Sequence, residues 1–391
     1  MVRYDFISRP NRLDQHSVKW KESENDPNLL QLWVADMDFQ PLPEIRAAIR
    51  QYADNHIFGY SYASKGLYQA ILDWERQRHG YETQEESILL IEGVVPALSV
   101  AIQAFTEKGE AILINTPVYP PFARTVKLNQ RQLVCNSLKE ENGQFIIDFD
   151  KLEKEIIEHQ VKLYIFCNPH NPGGRVWSKE EIAQVGKLCQ KHGVLLVSDE
   201  IHQDLTLYGH THHSFNTVDK GFKEFSIILS SATKTFNIAG TKNSFVIIEN
   251  PILRKRFSRR QLANNQHEIP AIGLLTTEVA FRCGQHWLEE LRGVLEENID
   301  FIDSYLTEHT KIKVMKPQGS YLVWLDFSSY DIEHVHIQEC LIKKAKVVLN
   351  DGQTFGKEGQ GHARLNAAAP FETIKEACER IARIFGNDAQ F

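Results

Sequence analysis

Asp199 follows the apolar run 194–197 within Ser198-Asp199-Glu200-Ile201-His202, and Lys234 stands in Ser231-Ala232-Thr233-Lys234-Thr235, just past the run 227–230. After Ile88–Ile91 comes Glu92-Gly93-Val94-Val95-Pro96, a glycine turn into a helix that offers free backbone N–H groups to an anion. The run 111–114 leads to Asn115-Thr116-Pro117-Val118-Tyr119. Leu163–Cys167 leads to Asn168-Pro169-His170-Asn171-Pro172-Gly173-Gly174, a turn with an amide at its centre. Gly240-Thr241-Lys242 adds a second cation. Singly, each has an ordinary reading: Asp199 as a helix cap, Lys234 as a solvated lysine, Gly93 as a connection, Tyr119 as a core or surface ring. Together they meet one requirement. A pyridine aldehyde cofactor needs a lysine amine for its Schiff base, a carboxylate to keep its ring nitrogen protonated, a donor to its ring hydroxyl and an anion cradle for its phosphate.

These residues need a frame that brings them together. Apolar runs of strand length (Ile88–Ile91, 111–114, Leu163–Cys167, 194–198, 227–230 and 245–248) alternate with amphipathic segments of helical length. Near-continuous apolar strands between helices predict a largely parallel sheet covered on both faces, an α/β class. Such sheets collect ligands at the carboxyl ends of their strands, where the candidates lie. Ser178 and Glu181 make a capping box that opens a helix over 179–191, with Gly193 as its stop. Past about residue 288 the pattern becomes a long helix 287–310, then 312–315, 321–327, a helix near 334–345, 347–349, 363–365 and a final helix 371–385. That is a smaller α+β domain. The expected division is 1–47 as an arm and part of the small domain, 48–287 as the large domain and 288–391 as the small one.

With 391 residues, 42% hydrophobic and 24% charged, the chain can bury a sizeable core. Its 44 Lys and Arg against 51 Asp and Glu give −7, which leaves no basic excess for a nucleic acid. Arg3, Asp5, Arg9 and Arg12 occupy the first dozen residues with no apolar stretch behind them, and no later run approaches about 18 apolar residues. The expectation is a cytoplasmic protein with no membrane partner. Six scattered cysteines without CxxC spacing argue against disulfides and structural zinc. His210, His212 and His213 read as a solvated loop, so no metal is expected.

The phrases Trp33-Val34-Ala35-Asp36-Met37-Asp38-Phe39, Phe58-Gly59-Tyr60-Ser61, Cys167 to Gly174, Ser198 to His202, Lys234 to Gly240 and Arg364-Leu365-Asn366 resemble, in this order, fold-type I pyridoxal-phosphate enzymes of the class I/II aminotransferase superfamily. Within it the resemblance is to the cystathionine β-lyase branch of C–S lyases. It implies a seven-stranded, mostly parallel sheet, pyridoxal 5′-phosphate as cofactor and a homodimer with sites at the interface. It implies that Lys234 carries the cofactor, Asp199 holds the pyridine nitrogen, Asn171 bonds the ring oxygen beside His202, and Tyr119 stacks on the ring. Gly93, Val94 and Val95 would hold the phosphate with the Ser231 hydroxyl and the Lys242 ammonium. Tyr60, with Tyr62 as competitor, would reach it from the neighbouring subunit. Arg364 would clamp the substrate α-carboxylate, with Asp36, Tyr60 and Tyr119 about the substrate. His202 stands where many aminotransferases have tyrosine, and Lys242 where many relatives have arginine. Gly352, Gly356, Gly359 and Gly361 read as a flexible segment that positions Arg364. The implied reaction is α,β-elimination on cystathionine, cysteine or another S-substituted cysteine, giving pyruvate, ammonia and a thiol. A true aminotransferase is the rival, and a binding or regulatory protein that retains the cofactor is a second.

Overall fold

The apolar runs become strands because both faces of each are covered: Leu163–Cys167 and Ser226–Ser230 are buried along their whole length. In a computed structural model that describes residues 4–389, seven strands form one sheet. They are β1 (Ile88–Ile91), β2 (Ala111–Thr116), β3 (Gln132–Ser137), β4 (Leu163–Cys167), β5 (Leu195–Asp199), β6 (Ser226–Ser230) and β7 (Ser244–Ile247), in the spatial order β1-β7-β6-β5-β4-β2-β3. Pairing is parallel throughout except at β7, which runs antiparallel to both β1 and β6. Cys167 lies opposite Asp199, and Asp199 opposite Leu229. Three neighbouring strands therefore release their chains at one edge, which is where Asn171, Asp199 and Lys234 follow.

Strand β3 has no apolar run to announce it. Gln132 and Cys135 are exposed while Val134 and Asn136 are buried, the alternation of an edge strand covered on one face. Three helices precede or enter the sheet: α1 (Pro43–Asn55), α2 (Lys65–His79) and α3 (Val94–Phe105). Ser178 and Glu181 cap each other reciprocally at the helix Lys179–His192, which ends at Gly193 with φ 65°. That left-handed position is one glycine adopts without a Cβ penalty.

Beyond the helix Gln285–His309 lies a second, antiparallel sheet: Lys313–Met315, Leu322–Asp326, His362–Asn366 and Asn350–Asp351, in that spatial order. The helices Gln285–His309 and Phe371–Ile384 pack against each other beside it. Arg364 sits on an inner strand, opposite Trp324 on one side and Asn350 on the other. Near the N-terminus, Leu30–Gln31 pairs in parallel with Val347–Val348, so the arm is tied to the C-terminal part of the chain. Of the outer segments expected at 1–47 and 288–391, residues 1–3 and 390–391 lie outside the described residues.

The glycine-rich stretch before Arg364 is not the flexible segment its composition predicts. It forms two short turns, Gly352–Phe355 and Lys357–Gly359, and a Cβ on Gly359 would stand 1.7 Å from the Gly352 carbonyl oxygen. These glycines are needed for close backbone approach. Gly359→Ala should cost about 2 kcal/mol, because a backbone neighbour cannot swing aside as a side chain can. Gly293→Ala, in the helix Gln285–His309 with nothing within 4 Å of its new methyl, should instead gain roughly 0.5–1 kcal/mol. Urea unfolding of both variants checks the opposite signs, and an unchanged midpoint for Gly359→Ala refutes the packing argument.

Candidate active site

A cavity of about 530 Å³ opens at the carboxyl ends of β4, β5 and β6, within the range of a small-molecule site. Lys234 enters it from the one-turn helix Ala232–Thr235 that follows β6. Its Nζ donates to the Ala35 carbonyl oxygen at 2.6 Å. Burial lowers its pKa to about 8; Asp36 opposes that shift and Arg364 adds to it.

Asp199 is the last residue of β5 and is 3% exposed. Its Oδ1 accepts the Ile201 N–H at 3.2 Å, and burial pushes its pKa up to about 7 against that bond. No cation among the described residues stands at ion-pair distance from it. Arg364 also lines the cavity; it is 2% exposed and donates to Asn171 Oδ1 at 2.9 Å and to the Trp33 carbonyl oxygen at 2.8 Å. Its Nε is buried without a partner, and its guanidinium lies 4.9 Å from the centre of the Phe355 ring. Burial lowers its pKa to about 10, with Tyr321 and Tyr119 opposing. No carboxylate among the described residues pairs with it. A buried carboxylate and a buried guanidinium thus face one cavity without pairing to each other or to any other charge. Burying an uncompensated charge costs several kcal/mol. The geometry suits a ligand that brings an N–H to Asp199 and an anion to Arg364.

A second anion place lies beside Lys234. Gly93 caps α3, and the Val94 and Val95 N–H groups of its first turn have no intrahelical acceptor; all three residues line the cavity with Thr233 and Lys242. Ser231 does not join them as expected. Its hydroxyl donates to the Asn243 carbonyl at 2.8 Å and meets Thr233 Oγ1, so the hydroxyl nearer the cavity belongs to Thr233. Lysine, buried carboxylate, amide and helix N-terminus are the donor set that a pyridine aldehyde phosphate requires, so the residues fit such a group.

His202 lines the cavity with Nδ1 3.1 Å from Ser320 Oγ; burial, then Lys234 and Arg364, lower its pKa to about 3, so the ring is neutral. Tyr119 also lines it, and its backbone N–H bonds the Asn171 carbonyl at 3.1 Å. Burial and then Asp199 raise the pKa of its hydroxyl.

Asp36 is not at the substrate side as expected. Its carboxylate is turned away, held by Arg12 through two bonds of 3.0 and 2.9 Å and 3.6 Å from Lys19 Nζ. What the arm contributes is backbone. The Trp33 carbonyl accepts from Arg364, that of Val34 from Asn366 at 2.7 Å, that of Ala35 from Lys234 and Tyr321, and that of Asp36 from Asn366 at 2.6 Å. Carbonyl groups have no sequence signature, so only the side-chain phrase was visible beforehand. Tyr60 is fully exposed and outside this chain's cavity; Ile57, Phe58 and Tyr62 are exposed and outside it too.

The histidine cluster also differs from expectation. His212 is buried, its Nε2 3.1 Å from Glu200 Oε2, while His210 is exposed. Among the described residues no group of histidines, cysteines and acids could hold a metal, and no helix is long and apolar enough to cross a membrane.

Residues 27–381 match the family model described as aminotransferase class I and II. The chain is 41% identical over 381 residues to the cystathionine beta-lyase PatB of Bacillus subtilis, covering 96% of this chain and 98% of that protein. Cystalysin from Treponema denticola, whose crystal structure contains pyridoxal 5′-phosphate, superposes with a TM-score of 0.95 at 33% identity over 98% of each chain. The PLP-bound C-S lyase of Staphylococcus hominis does so with a TM-score of 0.90 at 30% identity, again over 98% of each chain.

The lowered pKa of Lys234 has two measurable consequences in the cofactor-free chain. Its modification by an amine-directed reagent should rise through a midpoint near pH 8 rather than 10.5. Because the unfolded chain binds this proton more tightly, stability should rise as pH climbs from about 8 towards 10.5, and Lys234→Met should abolish that rise. A labelling midpoint above pH 10 would refute the burial argument.

Proposed function

Since the chain belongs to the aminotransferase class I and II family, we propose that it is a pyridoxal 5′-phosphate-dependent carbon–sulfur lyase. It acts on L-cystathionine, cysteine or a related S-substituted cysteine and releases pyruvate, ammonia and a thiol. The observation that carries this reading is that Asp199 and Arg364, both buried and neither in an ion pair, line one cavity with a lysine whose amine is shifted towards neutrality. The likeness to a cystathionine beta-lyase over nearly the whole chain selects elimination over transamination.

When bound, the cofactor supplies an electron sink that lets a Cα–H bond ionise and a β-substituent depart. Lys234 would hold it, Asp199 would face its ring nitrogen, Asn171 its ring oxygen and Tyr119 its flat face. Gly93, Val94, Val95, Thr233 and Lys242 would surround its phosphate. Arg364, already oriented by Asn171 and the Trp33 carbonyl, offers the α-carboxylate a planar fork with its remaining N–H groups. That fork fixes which face of Cα meets Lys234. Once free, the Lys234 amine accepts the Cα proton, and its lowered pKa matches that work near neutral pH. Neutral His202 adds no charge to compete with Arg364 for the carboxylate.

The exposed apolar segment Ile57, Phe58, Tyr60 and Tyr62 supports a homodimer in which a second copy covers it and Tyr60 reaches the partner's phosphate place. Mixing Tyr60→Phe with Lys234→Ala, each impaired alone, should then restore activity, because one site of each hybrid holds both residues. No recovery after confirmed subunit exchange would count against a shared site.

The reaction itself is tested with purified holoenzyme and cystathionine or S-alkylcysteines, with no oxo-acid present. Sustained release of pyruvate, ammonia and thiol in equal amounts is expected, and borohydride should fix the cofactor to a peptide containing Lys234. Turnover that requires an oxo-acid and yields a new amino acid would assign the chain to the aminotransferases instead.

A further inference from the structure

Among residues that do not themselves line the cavity, a group of buried charges connects α2 to the two turns that carry Lys234 and Asp199. Asp204 is 2% exposed. Its Oδ1 accepts from Trp74 Nε1 at 2.9 Å and lies 2.8 Å from His79 Nε2 and 3.5 Å from Arg78 Nε, all on α2. Its Oδ2 accepts from Thr235 Oγ1 at 2.7 Å. Thr235 directly follows Lys234, and Asp204 stands two residues after His202 and five after Asp199. Around this carboxylate stand Glu75, bonded to Gln203 Nε2 at 2.6 Å, and the Glu200–His212 pair, whose ring meets His79 edge to face at 5.5 Å.

We propose that Asp204 is a positioning residue: through Thr235 it holds the Lys234 turn against the Asp199–His202 turn, with α2 as the rigid support. The proposal rests on the reading of Lys234 as the residue that holds the cofactor. A carboxylate is suited to the task because it only accepts, and here it collects donors from three side chains of α2 and from one hydroxyl of the catalytic turn. The hydroxyl of Thr235 is fully buried and could have been satisfied within its own short helix; it reaches instead to a residue 31 positions away. That bond ties the turn of Lys234 to the turn of Asp199 and His202, and so sets where the amine stands when it accepts the Cα proton. Asp204 and Thr235 do not line the cavity, so their effect passes through Lys234.

Thr235→Val removes this one bond at constant shape, and Thr235→Ser keeps the hydroxyl. Trp74→Phe removes a different donor to Asp204 and leaves the Thr235 link intact. Each is read as holoenzyme by cofactor content, thermal midpoint, the pH dependence of the near-visible absorbance of the bound cofactor, and kcat and KM separately. The expectation for Thr235→Val is full cofactor content, a displaced absorbance titration and a kcat lowered roughly tenfold with KM changed less than about twofold. Thr235→Ser should restore both. Trp74→Phe should lower the thermal midpoint comparably while leaving the titration in place. An unmoved titration and kcat in Thr235→Val, or no restoration by serine, would overturn the positioning role. Borohydride labelling of the unsubstituted holoenzyme separates the two failures. A label away from Lys234 defeats the underlying reading, whereas a label at Lys234 with a silent Thr235→Val defeats this inference alone.

Discussion

Asp199 and Arg364 must be buried at one cavity and yet be kept from pairing with each other. Opposite charges freed to meet in a low-dielectric space would neutralise one another and leave nothing for a ligand to complete. The topology prevents it. Asp199 is fixed at the end of a strand in the large sheet, and Arg364 within a strand of the small antiparallel one. Arg364 is bonded instead to a neutral amide, the Asn171 Oδ1. A zwitterionic amino acid and a protonated ring nitrogen would bring both groups the ionic partners that the chain does not give them.

How much of this was legible beforehand follows from what each element needs of its residues. Strands buried on both faces need unbroken apolar runs, so β1, β2, β4, β5, β6 and β7 could be read directly. The edge strand β3 needs only alternate apolar positions and carries no run that marks it. Lys234, Asp199, Asn171, Tyr119 and the Gly93 turn were visible because each follows such a run, and parallel sheets gather those positions in space. Arg364 has no such local signal, because its strand belongs to an antiparallel sheet; only a family phrase marked it.

The misplaced residues fail for a common reason: a side chain's type does not state which way it turns. Asp36 belongs to a conspicuous phrase, yet its carboxylate neutralises Arg12 and Lys19 while its backbone oxygen faces Asn366. Ser231 spends its hydroxyl on the Asn243 carbonyl and leaves the cavity to Thr233. His212 looked like part of a wet loop, but a fully buried Glu200 reaches it across 12 residues. Each outcome depends on tertiary partners that periodicity and spacing do not encode.

The carbonyls of Trp33, Val34 and Ala35 form one wall of the cavity, and their partners are Arg364, Asn366, Lys234 and Tyr321. The separations run from 199 to 332 residues, so each carbonyl of this wall is made long before the residue that braces it. At roughly 5–20 residues per second, the arm waits on the order of 20 to 60 seconds after leaving the ribosome before Arg364 and Asn366 exist to hold it. In the later part of that interval the nascent chain has its aspartate and its lysine, while the strand that carries Arg364 is still to come. Completion of the cavity therefore waits on the strand His362–Asn366, and a chain cut short before that strand keeps the reactive lysine without the enclosure that governs it.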